Sequence, residues 1–191
     1  MTRRTDPDRR DRIVEACLDV LVEHGVAGAS HRRVAAAADV PLGSMTYHFA
    51  GFGALLAEAF GRFAAEAAAR FEAALADAEG PEAAVDAAAS LVHGTVLGTR
   101  RELVLTQELY TLAARDERFR AITAAWMLRS RAALERHLDP EAARGVDALM
   151  EGLTLHRALD AHGVAHGAEH DDAGAAPDPR MLLRRVAGLV D

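Results

Sequence analysis

Apolar residues recur at helical spacing along almost the whole chain. Ile13, Ala16, Cys17, Val20 and Leu21 fall at i, i+3, i+4, i+7 and i+8, the stripe of an amphipathic helix. Pro7 and Asp8 favour its start, and Gly25, after His24, suits the left-handed position that closes a helix. Residues 1–6 precede it as a mobile arm. Val34, Ala35 and Ala38 make a second, shorter face, with Ser30 placed to cap its N-terminus. Asp39 sits where the chain must leave this helix, and Asp tolerates the left-handed conformation better than most residues. Pro41 forbids continuation, and Val40 between them should drop into the core. A third helix over Leu42–His48 buries Met45 and leaves Leu42, Gly43, Ser44, Thr46, Tyr47 and His48 to face outward.

Beyond Gly51 the helices lengthen. Leu55, Leu56, Ala59, Phe60, Phe63, Ala67 and Phe71 line one side of a helix that reaches about Ala78, where Gly80-Pro81 breaks the pattern. Further helices are predicted to about Gly98, from Arg100 to Ala114, from Asp116 to Leu138, and from Asp139-Pro140 to about His162. Residues 163–177 show no periodicity and read as a flexible loop. A last helix over Asp178–Val190 carries Leu182, Leu183, Val186, Leu189 and Val190 on one face. The helix at 140–162 is apolar on two sides, Val146, Leu149, Met150 and Leu153 on one and Ala148, Gly152, Leu155 and Leu159 on the other. Both sides must then be covered, and a second copy of the chain is the simplest cover.

Composition agrees with an all-α protein. Half of the 191 residues are hydrophobic and only six are proline, so a sizeable core can be buried. No apolar run approaches the length of a membrane span, and the arginine-rich start has no apolar segment behind it to make a signal peptide. A cytoplasmic protein is expected. Cys17, alone on an apolar helical face, should be a buried structural thiol.

The net charge of −7 looks wrong for a partner of phosphate, but it is unevenly spread. Residues 1–50 hold 7 Arg and 7 acidic groups, whereas residues 51–191 hold 15 Arg and 22 acidic groups. Only the first part is electrostatically fit to approach nucleic acid. Its basic groups cluster at Arg3, Arg4, Arg9, Arg10 and Arg12 and again at Arg32 and Arg33. Two short helices joined by a tight turn, as over Ser30 to Phe49, are also the helix-turn-helix unit, whose second helix enters the DNA major groove. The alternative is a helical hairpin with no ligand.

On the run Ser30…Val34-Ala35…Ala38-Asp39-Val40-Pro41-Leu42-Gly43-Ser44-Met45-Thr46-Tyr47-His48-Phe49, preceded by Ile13…Ala16…Val20…Gly25 and followed by Leu55-Leu56, the chain resembles the tetracycline-repressor (TetR) family of transcriptional regulators. The motif covers roughly residues 9–60, and beyond it the likeness is one of architecture only. The resemblance implies an N-terminal three-helix helix-turn-helix domain over residues 1–50 and a C-terminal ligand-binding and dimerisation bundle over 51–191. It implies a homodimer on a palindromic double-stranded DNA operator, released by a small molecule. Ser30, Arg32 and Arg33 would meet phosphates, while Leu42, Gly43, Ser44, Thr46, Tyr47 and His48 would lie in or beside the major groove. Ser44 and Thr46 suit base edges, Leu42 a thymine methyl, and Tyr47 and His48 phosphate. Two residues depart from the pattern. Asp39 replaces the usual glycine of the turn, and Phe52 replaces a lysine just after the recognition helix, so one phosphate contact is lost unless the amides at Gly51–Gly53 supply it.

Four polar-aromatic residues, His93, Tyr110, Trp126 and His156, lie on different predicted helices within apolar stretches. If they converge, with Phe60 and Phe63 as an apolar wall, they make a pocket for a largely apolar effector with one or two polar groups. They are also compatible with ordinary core positions whose polar tips are satisfied, in a regulator that takes no effector. A helical enzyme or metal-binding bundle is the remaining alternative. His162, His166, His170, Asp171 and Asp172 have ligand-like spacing, but Gly163, Gly167 and Gly174 argue for a solvated loop. Ser90 and His93 form no convincing nucleophile–base pair. No metal, cofactor, membrane contact or enzymatic role is expected.

Overall fold

The computed structural model describes residues 8–93, 99–163 and 178–190. Nine helices follow one another among them: α1 (Arg9–Gly28), α2 (His31–Ala37), α3 (Gly43–His48), α4 (Phe52–Leu75), α5 (Pro81–His93), α6 (Arg100–Ala113), α7 (Glu117–Leu134), α8 (Pro140–Gly163) and α9 (Pro179–Val186). They divide into two compact units. The first holds the chain to Ala65 and returns for Val104–Thr123; the second holds Glu66–Leu103 and Ala124–Asp191.

In the first unit α1 packs on α2, and α2 on α3. The expected stripe is the one that is buried: Ile13, Cys17, Leu21, Val34, Met45 and Leu55 have no exposed surface. Burial pushes the Cys17 thiol up to about 12, so it stays protonated and inert. Gly25 adopts φ 62 and breaks α1, as expected of a closing glycine, and a short helical stretch to Gly28 continues beyond it. A side chain at Gly25 would meet the Glu108 carboxylate of α6, with its Cβ 2.6 Å from Oε1. The positive φ is what holds glycine at this position, since the end of the flexible Glu108 side chain can move aside.

The second unit packs α5, α8 and α9 against one another around Leu75, Val85, Leu134, Val146 and Leu183. Gly145 lets α9 come close, since a Cβ there would lie 2.6 Å from Val186 Cγ1. The Asp-Pro starts behave as anticipated. Asp139 Oδ1 accepts from the backbone N–H of Glu141 and Ala142, both at 2.9 Å, and Asp178 Oδ1 accepts from Arg180 at 2.9 Å. Thr99 and Glu102 cap α6 reciprocally, Thr99 Oγ1 accepting from Glu102 N at 3.2 Å and Glu102 Oε2 from Thr99 N at 3.4 Å. The Asp147 carboxyl bridges to Arg131 at 2.9 Å, yet burial holds it above the usual carboxylate range.

Helix ends differ from expectation where local turns compete. α4 stops at Leu75 because Ala76 and Ala78 close tighter turns onto Ala73 and Leu75 before Gly80 at φ 88. α7 ends at Leu134 and continues only as a turn, Leu138 N–H bonding Leu134 O at 3.0 Å. α9 ends at Val186 because Gly188, at φ 70, bonds back to Arg185 while Leu189 bonds back to Arg184. The arm, the loop beyond Gly163, and the histidine and aspartate cluster at 166–172 lie outside the described residues.

Candidate nucleic-acid interface

The exposed face of α3 is held by what lies beneath it. Ser30, extended at φ −157, caps α2 by accepting from Arg33 N–H at 3.3 Å. Arg33 in turn donates through Nη1 to Gly28 O, so part of its guanidinium is directed back onto the α1–α2 connection. Arg32 is exposed and has no hydrogen bond or ion pair among the described residues. Asp39 adopts φ 51, the left-handed value expected of it. Its N–H bonds Ala36 O at 3.3 Å and that of Val40 bonds Ala35 O at 3.0 Å, which closes α2 and reverses the chain. Val40 is correspondingly at the rim and only half-buried, not in the core.

Met45 is fully buried and anchors α3, a helix of six residues. Too short to be stable alone, it depends on such contacts for its angle. Opposite Met45, Tyr47 is 83% and Leu42 53% exposed. Gly43 and Thr46 are exposed, while Ser44 and His48 are half-buried. A Cβ at Gly43 would meet nothing within 4 Å. Thr46 Oγ1 donates to Gly43 O at 3.2 Å, which commits its proton and leaves its lone pairs outward. The Tyr47 and His48 rings meet edge-on with centroids 4.9 Å apart.

At the α4 start, Phe52 meets His31 edge-on at 5.2 Å, and His31 Nε2 is buried without a hydrogen-bond partner among the described residues. A Cβ at Gly53 would lie 3.2 Å from the Arg118 guanidinium, which is paired with Asp116 at 2.7 Å. That pairing pulls the Asp116 carboxyl below its usual range and raises Arg118.

No family model and no curated protein sequence matches the chain, but solved structures do. A protein assigned as a transcriptional regulator, from Streptomyces coelicolor A3(2), is 49% identical over 95% of this chain and 99% of its own, with a TM-score of 0.80. A member of the TetR family from Streptomyces coelicolor A3 is 34% identical over 95% of this chain and 99% of its own, at 0.72. The chain belongs to the TetR family. The multidrug-binding protein EbrR, in complex with imidazole, is also 34% identical, over 95% of this chain and 96% of its own, at 0.70.

This TetR-family chain is thus a DNA-binding transcriptional regulator, and the family consists of regulators and not enzymes. The residues anticipated for an effector fall in both units. Phe60 and Phe63 are buried in the first, Phe60 edge-on to Phe119 at 6.0 Å, and Tyr110 is half-buried there. In the second, Trp126 is half-buried and His156 exposed, while the side chain of His93 lies outside those described. Ser90, doubted as a nucleophile, donates to Asp86 O at 2.8 Å. No helix of the described residues is long and apolar enough to cross a membrane.

Sequence reasoning missed two things about this TetR head. Arg10, counted among the basic groups of residues 1–50, is bound to Glu58, and Arg118 reaches the start of α4. Arg10 stands three positions before Ile13, on the side of α1 that carries the buried stripe, and its side chain is 49% exposed; nothing in the chain marks Glu58 as its partner.

Proposed function

We propose that the chain is a homodimeric repressor, released from a palindromic operator by a small molecule. The observation that carries the DNA face is the polar and aromatic surface of α3 backed by the fully buried Met45. Residues 1–50 form the DNA-binding domain and 51–191 the ligand-binding and dimerisation domain. Ser44 and Thr46 read base edges, Leu42 meets a thymine methyl, and Arg32, Arg33 and Ser30 hold phosphates. Two heads related by a two-fold axis take half-sites about one helical turn apart or somewhat more.

The second copy packs on α8 and α9. Leu159 is 55% and Met181 50% exposed, Val186 and Val190 are exposed too, and a Cβ at Gly152 would meet nothing within 4 Å. Such an apolar surface favours association. The effector is an aromatic, largely apolar molecule with one or two polar or charged groups. The related EbrR, described as multidrug binding, is solved with malachite green, proflavin and ethidium. The test is a mobility shift with the operator found by footprinting, repeated with such dyes. Release of DNA together with a change in Trp126 fluorescence supports the proposal. A shift that no ligand reverses points to a regulator without an effector.

A further inference from the structure

We propose that Arg10 is a positioning residue for the recognition helix and not one of the cations that meet phosphate. Each of its three guanidinium nitrogens donates one hydrogen bond, while the side chain stays 49% exposed. Nε donates to Glu58 Oε1 at 2.8 Å and Nη2 to Glu58 Oε2 at 2.5 Å, while Nη1 donates to the carbonyl oxygen of His48 at 3.0 Å. The guanidinium also lies over the Phe49 ring, 4.9 Å from its centroid. One α1 side chain therefore ties together the last carbonyl of α3, the aromatic residue that follows it, and α4. Arginine is charged at any working pH, and the Glu58 hydrogen bond, the largest cause, raises its pKa further.

The geometry suits a tie better than a phosphate contact. α3 has six residues; Met45 fixes its underside, and its far end rests on the buried Phe49 that the guanidinium covers. His48 O belongs to the negative end of the helix, where a cation is favourable. The bidentate carboxylate pairing needs the planar fork of arginine, which the point charge of lysine cannot reproduce. Glu58 cancels the charge that a phosphate would otherwise feel. This inference rests on the reading that α3 meets DNA.

Three variants, Arg10→Lys, Arg10→Gln and Glu58→Gln, test it in the full-length protein, with binding to operator and to unrelated duplex measured across a salt series. As a tie, Arg10 makes all three variants lose operator affinity by roughly tenfold or more, since hydrogen bonds to a charged group are broken. Binding to unrelated duplex and the salt slope stay unchanged, because no counterion release is lost. Glu58→Gln gives the sharpest readout. It weakens operator binding if Arg10 is a tie, and tightens it with a steeper slope if Arg10 is a phosphate contact held back by Glu58. A wild-type Arg10→Lys, or an Arg10→Gln that flattens the slope by about one phosphate on both duplexes, also overturns the proposal. If Arg10→Gln does not fold by circular dichroism, Arg10→Lys and Glu58→Gln decide. Ser44→Ala and Thr46→Ala serve as controls. If both leave base preference intact, α3 is not the reading helix and the proposal falls with that reading. If they alter it while the Arg10 and Glu58 variants are silent, only the tie is wrong.

Discussion

α3 and α8 both turn a row of side chains to solvent, and the rows differ in kind. On α3 the exposed row carries Thr46 and Tyr47, with Ser44 half-covered beside them. On α8 it carries Ala148 and Leu159, with open space at Gly152. α3 has six residues and one fully buried anchor, Met45, whereas α8 has 24 and is pinned on its inner side by Ala143, Val146 and Met150. An apolar row gains free energy when anything apolar covers it, so it supplies affinity. A hydrogen-bonding row gains little net and loses much when its partner is wrong, so it supplies discrimination.

The contrast breaks most decisively on α8. Gly152→Arg or Leu155→Asp places an uncompensated charge on the row proposed to be covered, at a cost of roughly 3–5 kcal/mol to association. Sedimentation should then report a monomer whose helical content matches the unaltered protein. Two results would count against the proposed interface: unaltered chain that sediments as a monomer at micromolar concentration, or variants that remain dimeric.

On α3 the expected loss is smaller and depends on sequence. Ser44→Ala and Thr46→Ala should each relax preference at particular bases by about 1–3 kcal/mol. The two are not equivalent. With its proton committed to Gly43 O, Thr46 can only accept, so it should prefer a base edge offering an N–H, adenine or cytosine. Competition with singly substituted operators reads this directly, and a Thr46 effect confined to guanine or thymine would contradict the assignment.

The same two helices show what a chain reveals of itself. The stripes that bury Ile13, Val34, Met45 and Val146 were legible because burial on a helix imposes its own period. Gly25 and Asp39 were legible as left-handed residues because few residue types tolerate positive φ. Gly188 was missed because an apolar stripe running through it to Val190 masked a stop that the glycine imposes. Arg10 counts among the basic groups of residues 1–50, but composition does not see Glu58, 48 positions away, which pairs with it. The effector residues are the least legible of all. Aromatic and histidine side chains in apolar stretches have the same pattern whether they line a pocket or fill a core.

Asp39 sharpens the comparison at the scale of a single dihedral. A non-glycine residue in the left-handed region costs roughly 1–2 kcal/mol, offset in part because glycine loses more entropy on folding. Asp39→Gly at φ 51 should therefore stabilise the protein by up to ~1 kcal/mol, seen as a later midpoint in denaturant. It also removes a carboxylate from beside the proposed DNA face, so operator affinity should rise more at low salt than at high. A lower midpoint would mean that the Asp39 side chain contributes more than its backbone strain costs.

The smallest effect separates the arginines of the head from one another. Arg32 has no partner among the described residues, whereas Arg33 donates to Gly28 O. Arg32→Ala should weaken binding to every duplex alike and reduce the salt slope by about 0.9, the value for one phosphate on B-form DNA. Arg33→Ala should do so less, because part of its guanidinium is already committed. Phe52→Lys should do the reverse. It gives up the edge contact with His31 at 5.2 Å but places a cation at the first turn of α4, so the slope should steepen by about one phosphate. These variants leave base preference untouched, which is what distinguishes them from Ser44→Ala and Thr46→Ala. If Arg32→Ala changes neither affinity nor slope, and Phe52→Lys does not steepen it, then phosphate is held elsewhere. The polar row of α3 would in that case have to be explained without DNA.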